Sequence, residues 1–174
     1  IQNEFEMNKP KHSIKKILIT GGAGFIGGTL IRKLLTETDS HIFNLDKITY
    51  ASSLESIDNL IKESKYNYNG RYSFIQADLY NKSETIEAII HADPDIIFHL
   101  AAESHVDRSI LGPEVFIQSN IIGTFNLLEA IRIHIERIEG KRKESFRFIH
   151  VSTDEVYGSL INNERFSETT KYSP

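Results

Sequence analysis

There is no cysteine in the chain, which excludes disulfides, a thiol nucleophile and a zinc–thiolate site and suits a reducing compartment. No apolar run approaches the ~20 residues that a membrane-spanning helix needs. No secretory leader is visible either, so a cytoplasmic chain with no membrane partner is expected. Concentrated positive charge is missing too. Lys and Arg number 20 against 24 Asp and Glu, a net charge of −4, which argues against a nucleic-acid partner. A G-x-S-x-G elbow is absent, and a serine hydrolase with it. The single methionine is Met7, whereas the chain begins at Ile1. Residues 1–6 therefore read as foreign or processed, and residues 1–14 as a flexible N-terminal extension.

What is present fits one soluble domain: 174 residues, 40% hydrophobic and 25% charged, long enough to bury a substantial core. From Lys15 onward short apolar runs alternate with longer amphipathic segments. Strands are predicted at Ile17–Ile19, at Ile42–Leu45 ending in Asp46, at Tyr72–Ile75 ending near Asp78, at Ile96–Leu100 and at Phe146–Val151. The Ile96–Leu100 run is apolar enough to suggest burial on both faces. Helices are predicted from about Gly24 to Leu35, from an N-cap at Ser83, and over about 113–135 with Pro113 at its start. Residues 136–144 read as a charged connection, and Lys141-Arg142-Lys143 within it as a solvated loop. The alternation predicts an α/β fold, a Rossmann-type doubly wound parallel sheet over residues 15–174.

Thr20-Gly21-Gly22-Ala23-Gly24-Phe25-Ile26-Gly27 lies between the first strand and the first helix. Gly21, Gly24 and Gly27 permit a tight turn, a close backbone approach to a pyrophosphate and tight helix–strand packing, and the helix N-terminus favours phosphate. Asp46 follows Gly27 by 19 residues at the end of the second strand. There a carboxylate can accept hydrogen bonds from an adenosine ribose and repel a 2′-phosphate, so NAD is the expected cofactor. Asp78, at the end of the third strand, reads equally as an adenine neighbour or as a turn residue. His99, Glu103, His105 and Asp107 match no common zinc spacing, and no metal is expected.

At the other end, Thr153, Asp154 and Glu155 follow the last strand. Two adjacent carboxyl groups suit a reaction that needs an acid and a base on one substrate.

Taken in order, these motifs resemble the extended short-chain dehydrogenase/reductases that act on nucleotide sugars, and within them the dTDP-glucose 4,6-dehydratases. The matching runs are 20–27, 45–51, 99–109 (His-Leu-Ala-Ala-Glu-Ser-His-Val-Asp-Arg-Ser), 120–124 and 152–158 (Ser-Thr-Asp-Glu-Val-Tyr-Gly). The resemblance implies that Phe25 and Ile26 lie along the pyrophosphate, while Asp46, Lys47, Ile48 and Thr49 hold the adenosine ribose. Asp78 and Leu79 would border the adenine. Leu100, Ala101, Ala102, Glu103, Ser104 and Ser119 would line the rest of the NAD site. It further implies that Ser104 and Thr153 touch the sugar, that Asp154 protonates the departing 6-hydroxyl, and that Glu155 removes the C5 proton. In the family's reaction C4 is oxidised, water is lost across C5 and C6, and the hydride returns to C6. The implied substrate is dTDP-glucose or UDP-glucose, and the implied assembly is a homodimer of the full-length protein.

One family feature is missing. No Tyr-x-x-x-Lys, the pair that serves the hydride step, occurs in these 174 residues. The chain reads as an N-terminal portion, truncated before the last strands and the C-terminal substrate domain, and inactive or nearly so by itself. Tyr157 reads as a packing residue behind the strand end. The other readings are a nucleotide-sugar epimerase or decarboxylase relative and a non-catalytic NAD-binding module.

Overall fold

The computed structural model describes residues 15–63, 68–160 and 165–174; the expected extension over 1–14 lies outside them. Five strands form one wholly parallel sheet: β1 (Lys16–Thr20), β2 (His41–Asp46), β3 (Tyr72–Gln76), β4 (Ile96–His99) and β5 (Arg147–His150). Their order is β3-β2-β1-β4-β5. β1 pairs with β2 through Ile17↔Ile42 and Leu18↔Phe43, and with β4 through Ile17↔Ile96 and Leu18↔Ile97. The chain thus winds outward from β1 in both directions, and the reversal opens a crevice at the C-terminal ends of β1 and β4.

Strand side chains alternate between faces, and two apolar clusters result. Ile17, Ile19 and Ile42 meet α1 (Phe25–Glu37) and α2 (Glu55–Glu63) through Ile31, Leu35 and Ile57. Leu18, Phe43, Leu45 and Ile97 meet α3 (Lys82–Ala92) and the helix over 124–137 through Ile89, Leu127 and Ile131. Covering both faces is what permits near-continuous apolar runs in parallel strands. β4 alternates more than expected, with Ile97 and His99 buried but Ile96 and Phe98 only partly so.

α1 runs two residues past its predicted end, and its first turn is exposed, Phe25 at 92% and Ile26 at 64%. Only Gly27, Gly28, Ile31 and Leu35 are buried along it. The N-cap of α3 is Asn81 rather than Ser83. The Asn81 side-chain oxygen accepts from the Ser83 and Glu84 N–H groups at 3.1 and 3.4 Å, which starts the helix at Lys82.

The predicted helix over 113–135 is there, extended to Arg137 and preceded by a separate α4 (Val106–Leu111). It comprises α5 (Pro113–Phe116), a π-helical stretch Ile117–Gly123 and α6 (Thr124–Arg137). The charged connection also differs from its prediction, for it contains α7 (Gly140–Ser145). There Arg142 is not simply solvated. Its guanidinium donates to Asp95 at 2.8 Å and to the Asp93 backbone carbonyl at 2.6 Å, so α7 docks on the loop before β4. Among the described residues no helix is long and apolar enough to cross a membrane.

Candidate functional site

The crevice between the loops after β1, β2 and β4 is a cavity of about 130 Å³, lined by Gly21 and Gly24, by the segment after β2, by Ala77 to Leu79 and by Leu100 to Ser104. Gly21 has φ of +71°, and a Cβ there would lie 2.7 Å from the Ala101 backbone, so a glycine is required where these loops cross. The N-cap of α1 is Gly24, which has no side chain to cap the helix, and its first turn carries no acid. The orphan N–H groups of that turn are left for an outside acceptor.

Asp46 is buried. One carboxylate oxygen accepts from the Ala23 N–H at 3.0 Å, tying β2 to the glycine turn. The other accepts from the Ile48 N–H at 2.8 Å and the Ser52 hydroxyl at 3.1 Å. A carboxylate has about four acceptor sites, so a ribose hydroxyl can use the remaining one or displace Ser52. Ile48, a β-branched residue, is held at φ of +59°, a conformation that needs such outside support.

Lys47 is engaged by two other residues that line the cavity. Its ammonium donates to the Ser119 hydroxyl at 2.9 Å and sits 3.8 Å from the Glu103 carboxylate. Asn120 fixes Glu103 from both sides, accepting from its N–H at 2.8 Å and donating to its carbonyl at 2.9 Å. Ser119 and Asn120 both belong to the π-helical stretch, whose wider turn is a common accompaniment of functional sites. Asp78 lies where the cavity meets the turn after β3. It borders the cavity, and its Oδ1 accepts from the Tyr80 N–H at 2.9 Å within its own turn.

Beneath the crevice, His99 is 1% exposed and bridges two threonines. Its Nδ1 lies 2.7 Å from the Thr20 hydroxyl and its Nε2 2.9 Å from that of Thr124. Burial, and secondly the neighbouring His150, lower its pKa from the usual 6.5 to about 4. The unfolded chain therefore binds a proton near pH 6.5 that the folded one refuses. Stability present above pH 6.5 is lost as pH falls toward 4, by up to about 3 kcal/mol. Urea midpoints taken between pH 7 and 4.5 are expected to fall more steeply for the wild type than for His99→Gln; parallel profiles would refute this.

Most residues anticipated for cofactor binding come together: Gly21, Gly24, Asp46, Lys47, Thr49, Asp78, Leu79, Leu100 to Ser104 and Ser119 all line the cavity. Phe25, Ile26 and Gly27 stand beside it at the start of α1, and Ile48 lines an adjoining cleft with Gln76 and Glu84. Thr153, Asp154 and Glu155 do not line it. They follow β5 on the same edge of the sheet, all three exposed. Thr153 caps the 3₁₀ turn Asp154–Tyr157, its hydroxyl accepting from the Glu155 N–H at 3.3 Å. The Tyr157 ring packs against the C-terminal segment, 5.2 Å from that of Phe166 and 5.4 Å from that of Tyr172. Sequence reasoning missed Tyr50, Ala51 and Ser52 as lining residues, although Tyr50 and Ala51 lie inside the quoted 45–51 run. It also missed the clamp by Asn120, for which an amide in mid-helix was the available signal.

Fold and site define a doubly wound Rossmann-type domain with the glycine turn and post-β2 acid of dinucleotide-binding proteins. Residues 18–174 match the family described as GDP-mannose 4,6 dehydratase, and the chain belongs to that family. It is 46% identical over 161 residues to the dTDP-glucose 4,6-dehydratase of Neisseria gonorrhoeae, covering 92% of this chain and 45% of that protein. The solved structure of DesIV, the dTDP-glucose 4,6-dehydratase of Streptomyces venezuelae with NAD and TYD bound, superposes with a TM-score of 0.72 at 34% identity, over 91% of this chain and 45% of that one. The UDP-glucose 4-epimerase of Thermus thermophilus in complex with NAD reaches the same TM-score, 0.72, at 29% identity, over 91% and 44%. The anticipated likeness to 4,6-dehydratases is thereby borne out, while this chain spans less than half the length of the relatives it matches.

Proposed function

We propose that residues 15–174 are the NAD-binding portion of a dTDP-glucose 4,6-dehydratase, with the acid/base pair of the dehydration step included. The uncapped α1 N-terminus suits a pyrophosphate, the Asp46 carboxylate a ribose with a free 2′-hydroxyl, and the cavity edge at Asp78 and Leu79 an adenine. NAD, when bound, supplies the acceptor and later the donor of the sugar's hydride.

The observation that carries the dehydratase reading is the Asp154–Glu155 pair, presented on a capped turn at the C-terminal end of β5. Glu155 takes the C5 proton and Asp154 gives a proton to the leaving 6-hydroxyl, so that water departs and the pair ends with its proton exchanged. Thr153 accepts from the Glu155 N–H through its oxygen, which leaves its hydroxyl hydrogen free to donate to the sugar. An epimerase moves no water and has no use for two acids there, which is why the epimerase likeness of the fold is not followed. The homodimer reading is supported by Ile117, Ile121, Phe125 and Leu128, an exposed apolar stripe along the helix over 113–137.

The test is incubation of dTDP-glucose and UDP-glucose with this chain and with the complete gene product, each supplied with NAD, the solution mass of the latter being taken alongside. The 4-keto-6-deoxy sugar is expected from the complete product, preferentially from one of the two nucleotides. If NAD binds but neither sample forms that sugar, the dehydratase reading is wrong.

A further inference from the structure

The loops after β2 and β4 touch each other although β1 lies between those strands. Neighbouring strands stand about 4.8 Å apart, so such contacts arch over the glycine turn that follows β1. The inner arch is the Lys47 bridge to Glu103 and Ser119. The outer one is formed by Tyr50 and Arg108. The Arg108 guanidinium lies over the Tyr50 ring at 4.0 Å from its centroid, within the range of a cation–π contact. Tyr50 lines the cavity while remaining 64% exposed, and Arg108 belongs to α4. Neither residue is needed by the core.

From this geometry we infer that Tyr50 and Arg108 form a clasp over the dinucleotide site, which must part for the cofactor to leave. This rests on the NAD reading above. A cofactor restored within each turnover gains nothing by exchanging with solvent, and premature loss would strand a half-reacted sugar. A clasp built from an exposed ring and a guanidinium slows escape without burying a charge, and it opens by rotation of two side chains. Tyr50 and Arg108 are positioning residues in this role, not catalytic ones.

The test is the dissociation rate of NADH from the complete gene product, followed by its fluorescence on dilution into excess NAD. Tyr50→Leu and Arg108→Gln are each expected to speed dissociation about two- to fivefold, the worth of one exposed cation–π contact. The double variant is expected to be no faster than either single one, because each removes the same contact. Tyr50→Phe, which keeps the ring and loses only the hydroxyl, is expected to match the wild type. Unchanged rates in the single variants, or effects that multiply in the double one, overturn the clasp while leaving NAD binding intact. Failure of the wild type to bind NADH at all would overturn the cofactor reading, and the clasp with it.

Discussion

Replacing Glu155 by glutamine is expected to slow formation of the 4-keto-6-deoxy sugar by about 10²–10⁴, the usual contribution of a general base, with NAD affinity unchanged. The separation follows from the fold. Glu155 stands on the turn after β5, whereas the cavity is built by the loops after β1, β2 and β4. Removing the carboxylate leaves the Thr153 cap in place, because that bond is made by the Glu155 backbone N–H and not by its side chain. Asp154→Asn is expected to fall into the same range, since loss of either partner halts the same elimination. The measurement is product formation by the complete gene product beside a titration with NAD. Full activity in both variants would remove the carboxylate pair from the mechanism, and a parallel loss of NAD affinity would make the pair structural.

Gly27→Ala is expected to act on the cofactor instead. A Cβ at position 27 would collide with the Gly21 carbonyl oxygen and lie 2.8 Å from Gly22 Cα, both of them backbone. With no flexible side chain to give way, α1 must lift from the turn and carry its free N–H groups with it. Hydrogen bonds to a charged partner contribute about 1.5–3 kcal/mol each, so NAD affinity is expected to drop about a hundredfold. The overpacking itself is expected to lower stability by about 1–3 kcal/mol.

The adjacent Gly28→Ala is the matched control. Its Cβ would meet its nearest neighbour, the Gly22 carbonyl oxygen, at an ordinary 3.5 Å, and alanine is the better helix former by about 1 kcal/mol. That variant is expected to bind NAD normally and to melt no lower than the wild type. Calorimetric titration and thermal melts of the three proteins decide it; equal affinity in Gly27→Ala would show that the close approach of helix to turn is dispensable.

How far the site was legible can be judged from particular residues. Gly21, Gly24 and Asp46 were readable because their chemistry is local: a turn between two predictable elements, and an acid at a strand end. α2 was not, for it is short, begins among Ser, Glu and Asp, and fully buries only Ile57. Its apolar positions Ile57, Leu60 and Ile61 recur at helical spacing and pack into the cluster with α1, but nine residues are too few for the pattern to stand out. The α3 cap was misplaced because Asn81 and Ser83 are both good capping residues, and the choice between them depends on which oxygen faces the free N–H groups. Arg142 was read as solvated because its acids, Asp93 and Asp95, lie 49 and 47 positions away along the chain.

By itself the sequence determined the parallel α/β wind, the glycine turn and its acid, and the carboxylate pair after the last strand. All of these are written in contiguous runs whose spacing follows the periods of strand and helix. Only the tertiary structure decided that Lys47 is engaged by Glu103 and Ser119, that Asn120 clamps Glu103, that Tyr50 meets Arg108, and that His99 is buried between Thr20 and Thr124. These depend on strand order and on how closely two loops approach. Such quantities arise when β1 is inserted between β2 and β4, and no stretch of neighbouring residues encodes them.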